Sequence, residues 1–234
     1  MTSSPGESQQ RPLNLAEYYL LNCLDDSGKL QTQQHTVRVG LAGAVLTDLA
    51  RRGCIYVTRD VVMVNSHNAA QLEQPLHTVL QIMTDAPENL DAEQWINRFS
   101  RPALLDTVIK VLEFREEIVV ETKKFLGIFP RTRMVPKESY GRVDMYVRLR
   151  ATLLGRDTAL DATTWPLVQL LYSTDILTRI FPGLPNRDVE ARLAEFQVEA
   201  QQEEPAIAEA LQAVENAIAE ALTATRGQAT GMRG

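Results

Sequence analysis

Cysteine is nearly absent from this chain. Two residues in 234, Cys23 and Cys54, with no CxxC spacing, exclude a disulfide framework and a cysteine-rich zinc site. Such usage fits a reducing compartment. Long apolar runs are missing too: none approaches the roughly 18 residues of a membrane span. The first eleven residues, rich in Ser, Gln, Pro and Gly, carry neither the basic nor the apolar stretch of a secretory signal. These absences predict a soluble, cytoplasmic protein whose contact with any membrane is peripheral. The three histidines, His35, His67 and His77, fall in no metal-binding or catalytic spacing. There is no GxxxxGK(S/T), no GxGxxG after a strand and no GxSxG. No enzyme, metal or cofactor is expected, and Asp25-Asp26 reads as a turn cap. Positive charge is outnumbered, 24 residues against 30, and the net charge of −6 excludes a uniformly basic nucleic-acid coat.

What is present is ordinary globular composition, 44% hydrophobic and 23% charged, which excludes wholesale disorder. Residues 1–12 read as a disordered tail. Asn14 with Glu17 makes a capping box for a short helix around Leu15, Tyr18 and Leu21. A second helix spans Thr36–Arg52 and stops at Gly53. Its small-residue middle, from Gly40 to Leu46, places it at the centre of the core. A first hairpin pairs Ile55–Val57 with Val61–Val64. Helices follow at Leu76–Met83, after the Asp91/Gln94 cap, and from Pro102 with Leu104, Leu105, Val108, Ile109 and Leu112 inward. A second hairpin is expected from Ile118–Val120 and Phe125–Phe129, with Glu121–Lys124 as its loop. Further helices cover Ser139–Leu154, Ala162–Tyr172, Ile176–Phe181 and residues 187–198. The last runs from Pro205 to Leu222, with residues 223–234 as a second disordered tail. The fold class is mainly α: a single-domain helical bundle surrounded by short amphipathic helices, with two β-hairpins. The helix–hairpin order at 36–64 returns at 102–129.

Charge is distributed unevenly. Residues 121–150 hold eight basic residues against three acids, a net of +5. Residues 188–220 hold nine acids against Arg192, a net of −8. A polarised molecule follows, whose basic side suits an anionic bilayer at about 1 kcal/mol per nearby Lys or Arg. The second hairpin is apolar on both faces, whereas a surface hairpin should alternate. One face wants the chain's own helices, and the other a partner subunit or an acyl chain.

The stretch Leu13-Asn14-Leu15-Ala16-Glu17-Tyr18-Tyr19-Leu20-Leu21 leading to Asp25-Asp26-Ser27-Gly28, and the segment from Gly40 to Ile55, resemble the Golgi phosphoprotein 3 family. Phe129-Pro130-Arg131-Thr132-Arg133 and the helix from Asp161 to Tyr172 fit as well, so the similarity extends over residues 13–222. The resemblance implies a mainly α domain with a helical-bundle core. It further implies a non-enzymatic peripheral Golgi protein that binds phosphatidylinositol 4-phosphate. Such proteins link the cytoplasmic tails of glycosyltransferases to coat complexes and oligomerise through the apolar hairpin. The family's headgroup contacts transfer poorly. Gln33 and Ala42 stand where a Trp and an Arg are expected. Pro102 and Leu105 stand near the two expected arginines, with Arg101 one residue off. These departures mark a divergent, bacterial-type member.

The residues expected to contact lipid or another anion are therefore Arg101, Arg131 and Arg133, with Lys123 and Lys124 facing a membrane. Ile118, Val120, Phe125, Ile128 and Phe129 are expected to carry self-association through the 117–130 hairpin. The implied partners are an anionic membrane lipid, such as phosphatidylinositol 4-phosphate, a protein cargo and further copies of the chain. Nucleic acid is disfavoured. The alternative reading is a winged helix, with Arg51 and Arg52 closing a recognition helix and the first hairpin as the wing.

Overall fold

A computed structural model describes residues 11–58, 61–125, 129–137, 140–155, 161 and 163–231. The chain enters α1 (Leu15–Asn22) through the expected capping box. The Asn14 side chain accepts the Glu17 N–H, and the Glu17 carboxylate accepts the Asn14 N–H, both at 2.9 Å. Next comes α2 (Gln34–Arg51), in which every residue from Val39 to Leu49 is buried. A helix covered on all sides must be apolar throughout, and small residues let its neighbours come close. A Cβ added at Gly40 would lie 2.0 Å from the Tyr19 hydroxyl of α1.

The other elements pack around this axis. The expected first hairpin forms from β1 (Ile55–Val57) and β2 (Val62–Val64), with Ile55 opposite Val64. Two short helices follow, α3 (Leu76–Thr84) and α4 (Ala92–Phe99). The Asp91/Gln94 box caps α4, whose Trp95 and Phe99 stack at 5.2 Å. Pro102 opens α5 (Pro102–Phe114), where a missing N–H costs nothing. The second hairpin follows, from β3 (Ile118–Phe125) and β4 (Phe129–Pro136). Then come α6 (Tyr140–Leu154), α7 (Thr164–Ser173), the single turn α8 (Leu177–Ile180), α9 (Asn186–Glu203) and α10 (Pro205–Gly231). One apolar cluster runs through α1 to α10, and a smaller one joins Trp165, Phe196, Ala200, Ala208 and Leu211. The helix–hairpin order does recur, but with strands of three residues in one case and eight in the other.

Two expectations are corrected. Glu121–Lys124 is not a loop: it continues β3, and the register turns the chain beyond Phe125, which pairs with Phe129. Polar residues looked like a turn because the apolar runs lie at the two ends of each strand rather than along it. Of the tail expected over residues 1–12, Arg11 and Pro12 are described: the wholly buried Glu17 carboxylate needs a countercharge and Arg11 supplies it at 2.6 Å. Residues 1–10 lie outside the described residues. The last helix does not stop at Leu222 but runs to Gly231. Its Thr223-Ala224 continuation contains no proline, and alanine is the best helix former.

The close approach at Gly40 yields a testable contrast. Gly40→Ala gains helix propensity of about 1 kcal/mol but drives a methyl into the rigid, buried ring of Tyr19. Overpacking should outweigh the gain and destabilise the protein by about 1–3 kcal/mol in urea unfolding. Gly183→Ala, with nothing within 4 Å of the added Cβ, should stay within about 0.5 kcal/mol of wild type.

Candidate functional site

The second hairpin is a ribbon of eight registered pairs, about 27 Å long at 3.4 Å per residue. Its base is held against the core. Ile118 is buried, and Val120 and Met134 pack on the core from its edge. Gly28, at φ +77°, lets the 25–28 turn lie against β4. Its carbonyl accepts the Met134 N–H at 3.0 Å, and a Cβ there would sit 2.7 Å from the Val135 nitrogen. The Lys137 N–H donates to the Glu117 carbonyl at 2.8 Å. Beyond this base the register sets Glu121 opposite Arg133, Lys123 opposite Arg131, Lys124 opposite Pro130 and Phe125 opposite Phe129.

The corrected turn changes what the sequence-predicted cations do. By register, Lys123 stands opposite Arg131, Lys124 one rung further out opposite Pro130, and Arg133 two rungs further in opposite Glu121. Like charges directly opposite each other destabilise a strand pair, so the Lys123–Arg131 rung gains from an anion. Arg101 does not join them. It is exposed at the N-cap of α5, and the hairpin leaves the other end of that helix, about 20 Å away at 1.5 Å per residue. Of the residues expected to mediate self-association, Ile118 is corrected: it belongs to the chain's own core and offers nothing to a partner. Val120 is half-buried against the same core, while Val119 is exposed. Phe125 and Phe129 share the last registered rung, and Ile128 lies outside the described residues.

The acidic side is equally defined. Asp91, Glu93, Glu209 and Glu220 line a groove of about 630 Å³ between α4, α9 and α10, with no cation among its lining residues.

A third feature carries no local sequence signal: a charged knot at the N-terminus of α1. Glu17, fully buried, binds Arg11 at 2.6 Å and Arg115, 98 residues away, at 3.4 Å. Beside it lies a cavity of about 450 Å³ whose lining includes Arg11, Asp48, Arg51, Arg52 and Glu73. Asp48 accepts the Leu15 N–H at 2.8 Å and pairs with Arg51 at 3.2 Å; Arg52 pairs with Glu73 at 3.1 Å. This pairing corrects the winged-helix alternative. Its two arginines are bound to the chain's own acids, and its recognition helix is the buried axis of the core, which cannot enter a groove of nucleic acid.

Asp25 is the turn cap expected of it. Its Oδ1 accepts the N–H of Ser27 and Lys29 and the Ser27 hydroxyl, and these bonds, that from Lys29 foremost, hold its carboxyl below the ordinary range. No group of three or more His, Cys, Asp or Glu among the described residues could hold a metal ion. Among them, too, no helix is long and apolar enough to cross a membrane.

Comparison with protein families gives one match. The family model described as Golgi phosphoprotein 3 (GPP34) covers residues 15–218, most of the chain, and the chain belongs to that family. No curated protein matches it.

The charged knot makes a pH prediction. Burial pushes the Asp48 carboxyl above its ordinary value of 3.8, more than the Leu15 N–H and Arg51 pull it down. The native state therefore holds this proton more tightly than the unfolded state. Asp48's contribution to stability is greatest at low pH and declines as pH rises through its native pKa. In urea titrations the stability of wild type relative to Asp48→Asn should decline as pH climbs from about 4 and then level off. A difference moving the other way contradicts this assignment.

Proposed function

We propose that this Golgi phosphoprotein 3 family member is a non-enzymatic adaptor that docks peripherally on anionic membrane through the β3–β4 ribbon, in a cytoplasmic setting. The observation that carries the reading is the Lys123–Arg131 rung, with Lys124 on the next rung and Arg133 two rungs away. Two cations set opposite each other raise the free energy of the ribbon on its own and lower it against phosphate. By the two-residue period of a strand, Lys123, Arg131 and Arg133 share a face with Glu121, and Lys124 falls on the other; a net of two cations near an anionic bilayer amounts to about 2 kcal/mol, enough for reversible association and short of permanent anchoring. Phosphatidylinositol 4-phosphate is the lipid toward which the family points. The family's headgroup positions fall on Gln33, Ala42, Pro102 and Leu105. Here Gln33 is the uncharged N-cap of α2 and Ala42 is buried beneath its neighbours. Recognition therefore rests on charge more than on a shaped headgroup pocket. A protein cargo completes the adaptor reading.

Co-sedimentation with phosphatidylcholine vesicles, with and without phosphatidylserine or phosphatidylinositol 4-phosphate, tests this. Wild type should pellet with either anionic mixture and not with phosphatidylcholine alone. Arg131→Ala/Arg133→Ala should bind more weakly by a factor of about 10–30, the equivalent of two cations. Equal pelleting of wild type and variant on every mixture would sink the proposal.

Self-association belongs to the same reading. Phe125 and Phe129 at one rung, each worth about 1.5–3 kcal/mol when buried, give the far end of the ribbon an apolar composition. Light scattering after size exclusion at roughly tens of micromolar should show more than one copy for wild type and a folded monomer for Phe125→Asp. A monomeric wild type, or an unchanged variant mass, would count against it.

A further inference from the structure

Helix α6 is apolar on two sides, and only one of them is covered. Met145, Leu149 and Leu153 face the core. At positions i, i+3, i+4 and i+11, Val143, Tyr146, Val147 and Leu154 leave 59%, 43%, 57% and 56% of their surfaces in solvent. Helical spacing puts these four on one stripe, with Arg150 between Val147 and Leu154. An amphipathic helix needs one apolar side for its core, and α6 has a second. Four of the ten large hydrophobic residues exposed among the described residues lie on this one helix.

The stripe continues onto the chain that follows α8. The Phe181 ring stacks on Tyr146 at 5.3 Å between centroids and 25° between planes. Tyr146, Leu153, Leu154, Ile180, Phe181 and Leu184 line an apolar groove of about 260 Å³. The only charged residue lining this groove is Arg150, and no acid lines it. Arg179, exposed in α8, stands next to Ile180. Asp144, the acid on α6, is held by Arg148 at 2.8 Å, and Arg148 also reaches Asp161 at 3.3 Å. Arg142 reaches Asp26 at 3.0 Å.

We propose that the outer face of α6, with the Ile180–Leu184 segment, lies flat in the interface of an anionic bilayer. Resting on the peripheral-membrane reading above, this names a second contact surface besides the ribbon. Three observations favour a bilayer over other occupants. The stripe is apolar with cations and no unpaired α6 acid, the composition of a helix that beds into the headgroup layer. Its aromatic pair is of the kind that settles at the boundary between headgroups and acyl chains. A second copy docking stripe to stripe about a two-fold axis centred on the stripe would bring Arg150 toward its own twin, a like-charge opposition. Membrane binding through one weak signal is marginal, and two signals make it stable. A cationic ribbon and an apolar stripe are two such signals on one chain.

The test uses the full chain, vesicles of phosphatidylcholine with phosphatidylserine, and Val147→Asp/Leu154→Asp, which changes exposed residues and should melt like wild type. The variant should lose at least about tenfold in vesicle affinity. A Tyr146→Trp chain should show emission quenched by bromine-labelled acyl chains beyond the contribution of the buried Trp95 and Trp165. A variant that binds like wild type, with Tyr146→Trp unquenched, overturns this inference and leaves the ribbon reading standing. A wild type that ignores anionic vesicles overturns both. A variant that keeps vesicle binding but falls from oligomer to monomer makes the stripe a subunit interface and overturns the bilayer assignment.

Discussion

Everything in the molecule hangs on how closely other elements approach α2. Gly40 and Gly43 occupy places where a methyl group would meet the Tyr19 hydroxyl at 2.0 Å and Ile218 Cδ1 at 2.6 Å. Those two contacts bring the first and last long elements of the chain, α1 and α10, against the same helix. Because interiors are packed near crystal density, this close approach fixes where α1 begins and hence where Glu17 and Asp48 are buried. The charged knot follows from the packing. Two carboxylates enclosed at one helix start need cations, and Arg11, Arg51 and Arg115 converge from three parts of the chain to provide them. Removing one partner of such a buried pair costs about 3–5 kcal/mol. The knot therefore belongs to stability, and it takes Arg51 out of any role at the surface.

Function is left to what the core does not need. The ribbon is held at its first rungs and carries its charge beyond them. The outer stripe of α6 contributes nothing to the core that Met145, Leu149 and Leu153 do not already supply. The acidic groove between α4, α9 and α10 would be repelled by the surface that attracts the other two. On the proposed reading, a chain of net charge −6 meets an anionic membrane through its basic segment, residues 121–150, and keeps the acidic residues 188–220 away from it.

The local features were readable and the distant ones were not. Capping boxes at Asn14/Glu17 and Asp91/Gln94, Pro102 at a first turn and the small-residue run of α2 each carry their signal within a few residues. The hairpin turn was misplaced because Glu121–Lys124 has loop composition, and only pairing with residues 131–133 makes it strand. Arg11 lay in a segment of tail-like composition, and its partner is a carboxylate buried by tertiary packing. Arg115 meets Glu17 across 98 positions, which no spacing rule reaches. On α6 the apolar residues were visible, but Val147 and Leu149 look alike in a sequence. Only the packing shows that one is covered and the other bare.

Amide hydrogen exchange of the full chain, free and bound to anionic vesicles, tests the account most directly, since it reads every contact surface at once. Slowed exchange in residues 121–133 and 143–154, with α9 and α10 unchanged, is the predicted pattern. Slowing confined to α4, α9 and α10 would contradict it by putting the membrane on the acidic side.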